Sequence, residues 1–518
     1  MKALISVYDK TGVVDFARGL VGLGYDLVST GGTYRELAQA KLPVQQVSDV
    51  TGFPEIMDGR VKTLHPKIHG GILARRNNAG DRAALAQHGI DTIDLVAGNL
   101  YPFRETISKP GVTLDDALEN IDIGGPSFIR AAAKNFPHVV VVTDPADYTP
   151  VLKALQEGSA SLELRRRLAW KAFQHVAFYD TVIAQYLRGT DDPFPQELTL
   201  AYQRQQVLRY GENPHQKGAL YREPLVNYSS MVAGKQLLGQ PPSLCNYNDL
   251  SAALETVRDF VERPAAVVIK HATPSGFALA PTPAEALQKA IHADATSAFG
   301  GIIGLNRPMD MATAKVIAAF KDLEASNIDA IVAPGADEEA VTLLKATRRR
   351  MILFTVPSLA LLPATSMNFK HLPGGILYQE ANVRPVDTSN WKVVTKTPLK
   401  KEHLPAMKDA WTLLRRIRSN TILVWDGAEG VTLGIGSGQV SRVGAAKLAL
   451  EQAGDRAKGN VLASDSFFPF GDTVELAARY GIGAIVQQGG SINDQASIDA
   501  ADSAGIPMVL TGERAFWH

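Results

Sequence analysis

A single cysteine, Cys245, in 518 residues leaves no internal disulfide and no cysteine-rich zinc site, and it fits a reducing compartment. Net charge is equally lacking. The 53 Lys and Arg are offset by 53 Asp and Glu, whereas a general nucleic-acid binder carries a strong positive excess. The triplets Arg165–Arg167 and Arg348–Arg350 do not alter this, because short basic runs are usually solvated helix faces. No stretch approaches the roughly 20 apolar residues of a membrane span. The opening MKALISVYDK reaches Asp9 and Lys10 after too short an apolar run for a signal peptide. The expectation is a cytoplasmic protein with neither nucleic acid nor membrane as partner. Hydrophobic residues at 45% and charged residues at 20% match ordinary globular usage and exclude disorder.

What is present is alternation. From Ala3, short β-rich runs (ALISV, YDLVST, DLVAGNL, HVVVVTD) alternate with amphipathic stretches, which is the pattern of a parallel α/β sheet. Residues 1–190 read as one such domain. GTDDPFPQ at 189–196 breaks the periodicity, and a second region over 197–518 carries further strands and helices. Two of its stretches, IKHATPSG and ASDSFFPFGD, look loosely alike and hint at an internal duplication.

Several clusters can carry chemistry. Ser29-Thr30-Gly31-Gly32-Thr33 ends a strand and opens a helix, a geometry that suits a phosphate or a plain glycine turn. Arg60, Lys62, Thr63 and His65 crowd a loop that is either an anion clamp or a solvated surface. Asn99-Leu100-Tyr101-Pro102 follows a strand, and Asp122-Ile123-Gly124-Gly125 precedes a helix with Lys134; α/β proteins place ligands at such strand ends. In the second region an apolar strand delivers Lys270 and His271 into a proline-glycine turn. A lone histidine there is more often structural than catalytic. The Phe467-Phe468-Pro469-Phe470 cluster is either a packed core turn or a wall for a flat aromatic ligand.

STGGT, GRVKTLHP, NLYPF, ENIDIGG and RAAAKN occur in this order, and together they resemble the inosine monophosphate (IMP) cyclohydrolase domain of the bifunctional purine-biosynthesis family. The blocks of the second region resemble the family's transformylase half, so the resemblance spans residues 1–518. It implies an N-terminal methylglyoxal-synthase-like open parallel sheet, followed by duplicated cytidine-deaminase-like α/β/α domains without zinc. A deaminase zinc needs H-x-E with P-C-x-x-C, which one cysteine cannot supply. The implied reactions are formyl transfer from 10-formyltetrahydrofolate to aminoimidazole carboxamide ribonucleotide (AICAR), giving FAICAR, then dehydrative ring closure to IMP.

The resemblance also implies roles. Lys62, Tyr101, Asp122 and Lys134 would catalyse ring closure, with Asp9, Lys10, Thr30, Gly31, Gly32, Thr33, Arg60, Thr63 and Asn99 binding the nucleotide. Lys270, His271 and Asn420 would catalyse formyl transfer; Arg209, Tyr210, Asp294, Arg442 and Arg514 would bind its nucleotide, and Phe467, Asp472 and Ser491 the folate. The family is homodimeric. Potassium is compatible with the second region, although no ligand spacing marks it. The chain departs from the family pattern at Tyr8, usually serine, at Thr273, Ser275 and Arg418, and in an extra segment at 237–245. Two other readings stay open: one half retained only as a nucleotide-binding module, or a methylglyoxal synthase with an unrelated partner domain.

Overall fold

The computed structural model describes residues 1–226, 228–320, 327–357 and 359–518. It divides into two compact units, Met1–Gln203 with Glu223–Leu225, and Arg204–Arg222 with Val226–His518.

The first unit is built on five parallel strands, β1 (Lys2–Ser6), β2 (Asp26–Ser29), β3 (Val44–Gln46), β4 (Leu95–Gly98) and β5 (Val140–Val142), in the order β3-β2-β1-β4-β5. Fully buried Leu4, Ile5, Leu95 and Val96 show why these runs lack polar alternation: helices cover both faces of a parallel sheet. The 27-residue helix Leu162–Arg188 buries Leu168, Ala169, Ala172, Val176, Tyr179 and Val182, the three-and-four spacing of a helix packed along one stripe. The strand order reverses between β1 and β4, and their carboxyl ends therefore open a crevice.

In the second unit β6 (Gln203–Val207) and β7 (Ala219–Arg222) form a ribbon, as do β14 (Met367–Leu372) and β15 (Gly375–Glu380). The remaining strands are β8 (Lys235–Leu238), β9 (Ala265–Lys270), β10 (Thr273–Leu279), β11 (Gly301–Leu305), β12 (Ile328–Ala333), β13 (Ile352–Thr355), β16 (Lys392–Val393), β17 (Ile422–Asp426), β18 (Val431–Gly436), β19 (Val461–Ser464), β20 (Ala484–Gln487) and β21 (Met508–Leu510). They make one sheet in the order β16-β21-β20-β19-β17-β18-β10-β9-β11-β12-β13-β8. About the β18–β10 pair the order is mirrored, so β17 to β21 repeat β9 to β13, apart from the β14–β15 ribbon and β16 between them.

The repetition reaches individual atoms. Ala265 N–H donates to Asn306 Oδ1 (2.7 Å) and Thr421 N–H to Asp465 Oδ2 (3.1 Å); in return Asn306 N–H bonds Ala265 C=O and Asp465 N–H bonds Thr421 C=O. Gly276 packs against the carbonyl of Ala290 as Gly434 does against that of Ala449. The pairing suggested by sequence is nevertheless wrong in detail. IKHATPSG follows β9, whose mate is β17, while ASDSFFPFGD follows β19, the mate of β11. The proline and glycine after His271 are also not a turn, since Pro274 and Gly276 lie within β10.

A Cβ at Gly434 would sit 1.9 Å from Ala449 O, and one at Gly276 2.0 Å from Ala290 O. Either alanine substitution is expected to destabilise the protein by about 1–3 kcal/mol or more in equilibrium denaturation. Gly22→Ala, which meets open space, is expected to leave stability intact.

Candidate functional site

At the β1/β4 crevice lies a cavity of about 550 Å³. One wall is the start of the helix Gly31–Gln39, which no side chain caps, so its first N–H groups remain for an anion. Gly31 adopts φ +54°, a left-handed conformation that glycine takes without strain. Two ammonium groups flank this end: Lys62 Nζ would lie 3.2 Å from a Cβ at Gly31, and Lys10 Nζ 3.6 Å from one at Gly32. Arg60 reaches the same cavity but is ion-paired with Glu119, which also lines it. Thr63 is buried and packs on Gly124, where a Cβ would meet its Oγ1 at 2.6 Å.

Asp122 brings a carboxylate into this cationic cavity. Its Oδ1 accepts from Gly125 N–H (2.8 Å) and its own N–H donates to Tyr179 Oη (2.8 Å). Burial pushes the Asp122 carboxyl above its ordinary value, against the pull of the Gly125 N–H and the Lys62 charge. A half-buried carboxylate beside an ammonium is an acid–base pair. Tyr101 completes the group, with its ring exposed into the cavity and edge-on to Tyr8, centroids 6.1 Å apart.

Not every residue chosen from the sequence joins them. Lys134 is the exposed last residue of the helix Gly124–Lys134, about 15 Å along the axis from its first residue, and is not among the residues that line the cavity. Asp9 is committed to Thr11 N–H (2.9 Å). Thr33 exchanges bonds with the backbone of Val7, and Thr30 donates to Glu55 Oε1 (2.9 Å). Asn99 Oδ1 accepts from Tyr8 and Asp9 N–H, and its Nδ2 donates to Asp9 C=O, so Asn99 clamps the loop after β1. Glu119 and Tyr8 also line the cavity; a search for an anion clamp looks past an acid, and Tyr8 stood out in the sequence only as a departure from the family's serine.

The second set of residues gathers along one edge of the long sheet. β9 and β17 run in opposite directions, so the end of β9 at Lys270 and the start of β17 beside Asn420 lie on the same edge, three strand spacings or about 14 Å apart. The β9–β10 hairpin turns through His271 and Ala272, both with positive φ (54° and 58°), a strained arrangement without glycine. Asp249 Oδ1 holds that turn by accepting from Ala272 N–H (2.7 Å). Burial raises the Asp249 carboxyl, against the pull of Ala272 N–H, His271 and Lys270. Lys270 Nζ donates to Phe299 C=O (2.7 Å). Asp294 caps the same loop through Ser297 N–H (3.0 Å).

Across the edge, Asn420 Oδ1 accepts from Arg442 Nη2 (2.7 Å) and its Nδ2 donates to Gln439 C=O (2.8 Å). Arg442 is only 9% exposed and is ion-paired with Asp465, which is completely buried. Its guanidinium bonds Asp465, Ser464 and Asn420, so Arg442 holds Asn420 in place. Arg514 is exposed and stacks on Phe516 (4.5 Å). Arg209 lies over Tyr210 (5.4 Å) and donates to Gln240 of the extra segment (3.2 Å). Phe467 and Phe470 are exposed while Phe468 is fully buried, so the aromatic cluster is a core turn and an open face at once. Asp472 is the first residue of the helix Asp472–Arg479, and Ser491 N–H donates to Asp494 Oδ1 (3.1 Å). Among the described residues no group of three or more His, Cys, Asp or Glu could hold a metal ion, and no helix is long and apolar enough to cross a membrane.

Comparison with known proteins gives matches over the whole chain. A family model described as the AICARFT/IMPCHase bienzyme matches residues 132–452, and one described as an MGS-like domain matches residues 12–127. The bifunctional purine biosynthesis protein PurH of Listeria welshimeri is 50% identical, with all of both chains aligned. The PurH of Listeria monocytogenes serovar 1/2a is 49% identical over the same extent. That of Halalkalibacterium halodurans is 49% identical over 100% of this chain and 99% of its own.

The Arg60–Glu119 pair must open for Arg60 to meet an anion in the cavity. Exposed pairs are worth about 0–1 kcal/mol, so Glu119→Gln is expected to tighten binding of a phosphate monoester by up to about fivefold, measured by calorimetry.

Proposed function

This chain belongs to the AICARFT/IMPCHase bienzyme family, and from that premise we propose which of its residues run each reaction. The protein is a bifunctional enzyme of purine biosynthesis, catalysing its last two steps as AICAR transformylase and IMP cyclohydrolase, with a folate as cosubstrate. Residues 1–190 carry the cyclohydrolase and 197–518 the transformylase in this reading, with 10-formyltetrahydrofolate as the formyl donor, no zinc, and the homodimer of the family in the cytoplasm. A potassium ion is compatible with it.

The observation that carries the cyclohydrolase assignment is the convergence of Lys10, Gly31, Arg60, Lys62, Tyr101 and Asp122 on one cavity at the β1/β4 switch. The nucleotide phosphate takes the open helix start at Gly31 with Lys10 and Arg60. Asp122, made more basic by burial, accepts the proton from the carboxamide nitrogen as that nitrogen attacks the formyl carbon. Lys62 stabilises the oxygen that becomes negative and Tyr101 protonates it to a hydroxyl. The proton held on Asp122 then passes to that hydroxyl as it leaves as water, while the formamide N–H gives its proton back to Tyr101 and the new C=N bond forms.

In formyl transfer the 5-amino group of AICAR attacks the formyl carbon of the folate. His271 takes the amine proton, and Lys270, with one N–H spent on Phe299 C=O, turns its others to the oxyanion. Asn420, fixed by Arg442, holds the formyl group or the carboxamide. Arg209, Tyr210, Arg514 and Asp294 attend the nucleotide. Phe467, Asp472 and Ser491 attend the folate, with the exposed Phe467 ring offering a face to the pterin.

Purified protein given AICAR and 10-formyltetrahydrofolate is expected to produce IMP with no lasting FAICAR by mass spectrometry. Accumulated FAICAR would mean a silent first unit, and no formylation a binding module. Lys270→Ala is expected to lower transformylation kcat about a hundredfold to a thousandfold while supplied FAICAR still cyclises; unchanged transfer removes Lys270 from the mechanism. The acid limb of the cyclisation pH profile reports the ionisation of Asp122. Since the Lys62 charge lowers the Asp122 pKa, residual activity of Lys62→Gln is expected to show that limb displaced to higher pH. An unmoved limb would exclude Asp122 as the base.

A further inference from the structure

Two aromatic rings stand open in a cavity that also holds Lys10, Arg60, Lys62, Glu119 and Asp122. Tyr8 is 51% exposed and Tyr101 40% exposed; both line the cavity, and their planes meet at 68° with centroids 6.1 Å apart. The placement is built rather than loose. Asn99 Oδ1 accepts from the N–H of Tyr8 (2.6 Å) and of Asp9 (2.9 Å), and Asn99 lies two residues before Tyr101. One short segment therefore fixes the backbone of the first ring and carries the second. Lys10 pins Tyr8 further, with Nζ donating to Tyr8 C=O (3.3 Å) and lying 5.9 Å from the ring centroid.

We infer that Tyr8 is a positioning residue for ring closure: its ring and that of Tyr101 form a corner that holds the flat substrate with its two reacting groups coplanar. The inference rests on the assignment of this cavity to the cyclohydrolase. In FAICAR the formamide and the carboxamide sit on adjacent ring carbons, and each can rotate out of the heterocycle plane. The nitrogen of one reaches the formyl carbon of the other only when both lie near that plane. Being in edge-to-face contact, the two rings offer one continuous apolar surface against one side of the heterocycle, which disfavours rotamers that turn a substituent into it, so the enzyme restricts two rotors before reaction instead of during it. An aromatic ring does this through its face, and the hydroxyl of Tyr8 is not needed.

The test is steady-state cyclisation of supplied FAICAR by the full chain, with denaturation midpoints as the folding control. Tyr8→Ala is expected to lower kcat about tenfold with KM changed less than about threefold, and Tyr8→Phe to restore kcat. Wild-type kcat in Tyr8→Ala overturns the inference. So does a Tyr8→Phe variant as slow as Tyr8→Ala, which would assign the effect to the hydroxyl, and so does a loss confined to KM, which would make Tyr8 a simple binding contact. Lys62→Gln and Asp122→Asn separate this from the assignment beneath it. If both cyclise normally, the cavity is not the cyclohydrolase site; if both fail while Tyr8→Ala is normal, only the role of Tyr8 falls.

Discussion

Where a strand or a helix ends, its backbone N–H and C=O groups lose their regular partners and must find others. Almost every acidic or amide side chain at the two sites answers that need first. Asn99 takes the N–H groups after β1, Asp122 that of Gly125, Asp249 that of Ala272, Asp294 that of Ser297, and Asp465 that of Thr421. Ligands of α/β proteins sit at the same strand ends, so scaffolding and chemistry compete for one set of residues. The division follows from charge. Acceptors are drawn to backbone N–H groups, which the cations Lys10, Lys62, Arg209 and Arg514 cannot serve; in the proposed function these cations meet the anionic substrates.

The duplicated unit shows what happens when the two copies of such a position diverge. Asn306 and Asp465 accept from equivalent N–H groups at the start of equivalent strands. In the first copy the amide spends its remaining donors on the carbonyls of Phe260 and Arg263, and the position is closed. In the second copy a carboxylate has no donors to give and, fully buried, needs a positive partner; Arg442 supplies it and extends the network to Asn420. An acid in place of an amide thus turns a strand anchor into the support of a site residue.

The same contrast sets what could be read from sequence. The βαβα alternation, the glycine turn at Gly31 and the cationic run Arg60 to Thr63 have local signatures, and the last two lie at the cavity. The surroundings of Arg442 and Lys134 were not legible in the sequence, for different reasons. A guanidinium suits a phosphate and a buried carboxylate equally, and only the spatial neighbour Asp465, 23 residues on, decides between them. Lys134 shares a helix with the cavity wall, yet at 1.5 Å per residue membership of a helix says nothing about reach. The mirrored sheet was likewise hinted at through the wrong pair of segments, because the two copies agree in backbone bonding far more than in residue type.

Support from a buried ion pair has a chemical consequence for Asn420. Its Oδ1 receives Arg442 and its Nδ2 gives to Gln439 C=O, so the two ends of the amide are distinguished and a flip would set donor against donor and acceptor against acceptor. One N–H and one lone pair remain, in known directions, for a substrate that offers both a carbonyl and an amine. Had Arg442 been free to bind phosphate, the amide would have lost the partner that orients it. Had Asp465 been absent, a buried guanidinium would have carried uncompensated charge beside the reacting atoms. With the pair in place the amide sits in a neutral surrounding, and in the proposed transfer the charge for the developing oxyanion would come from Lys270.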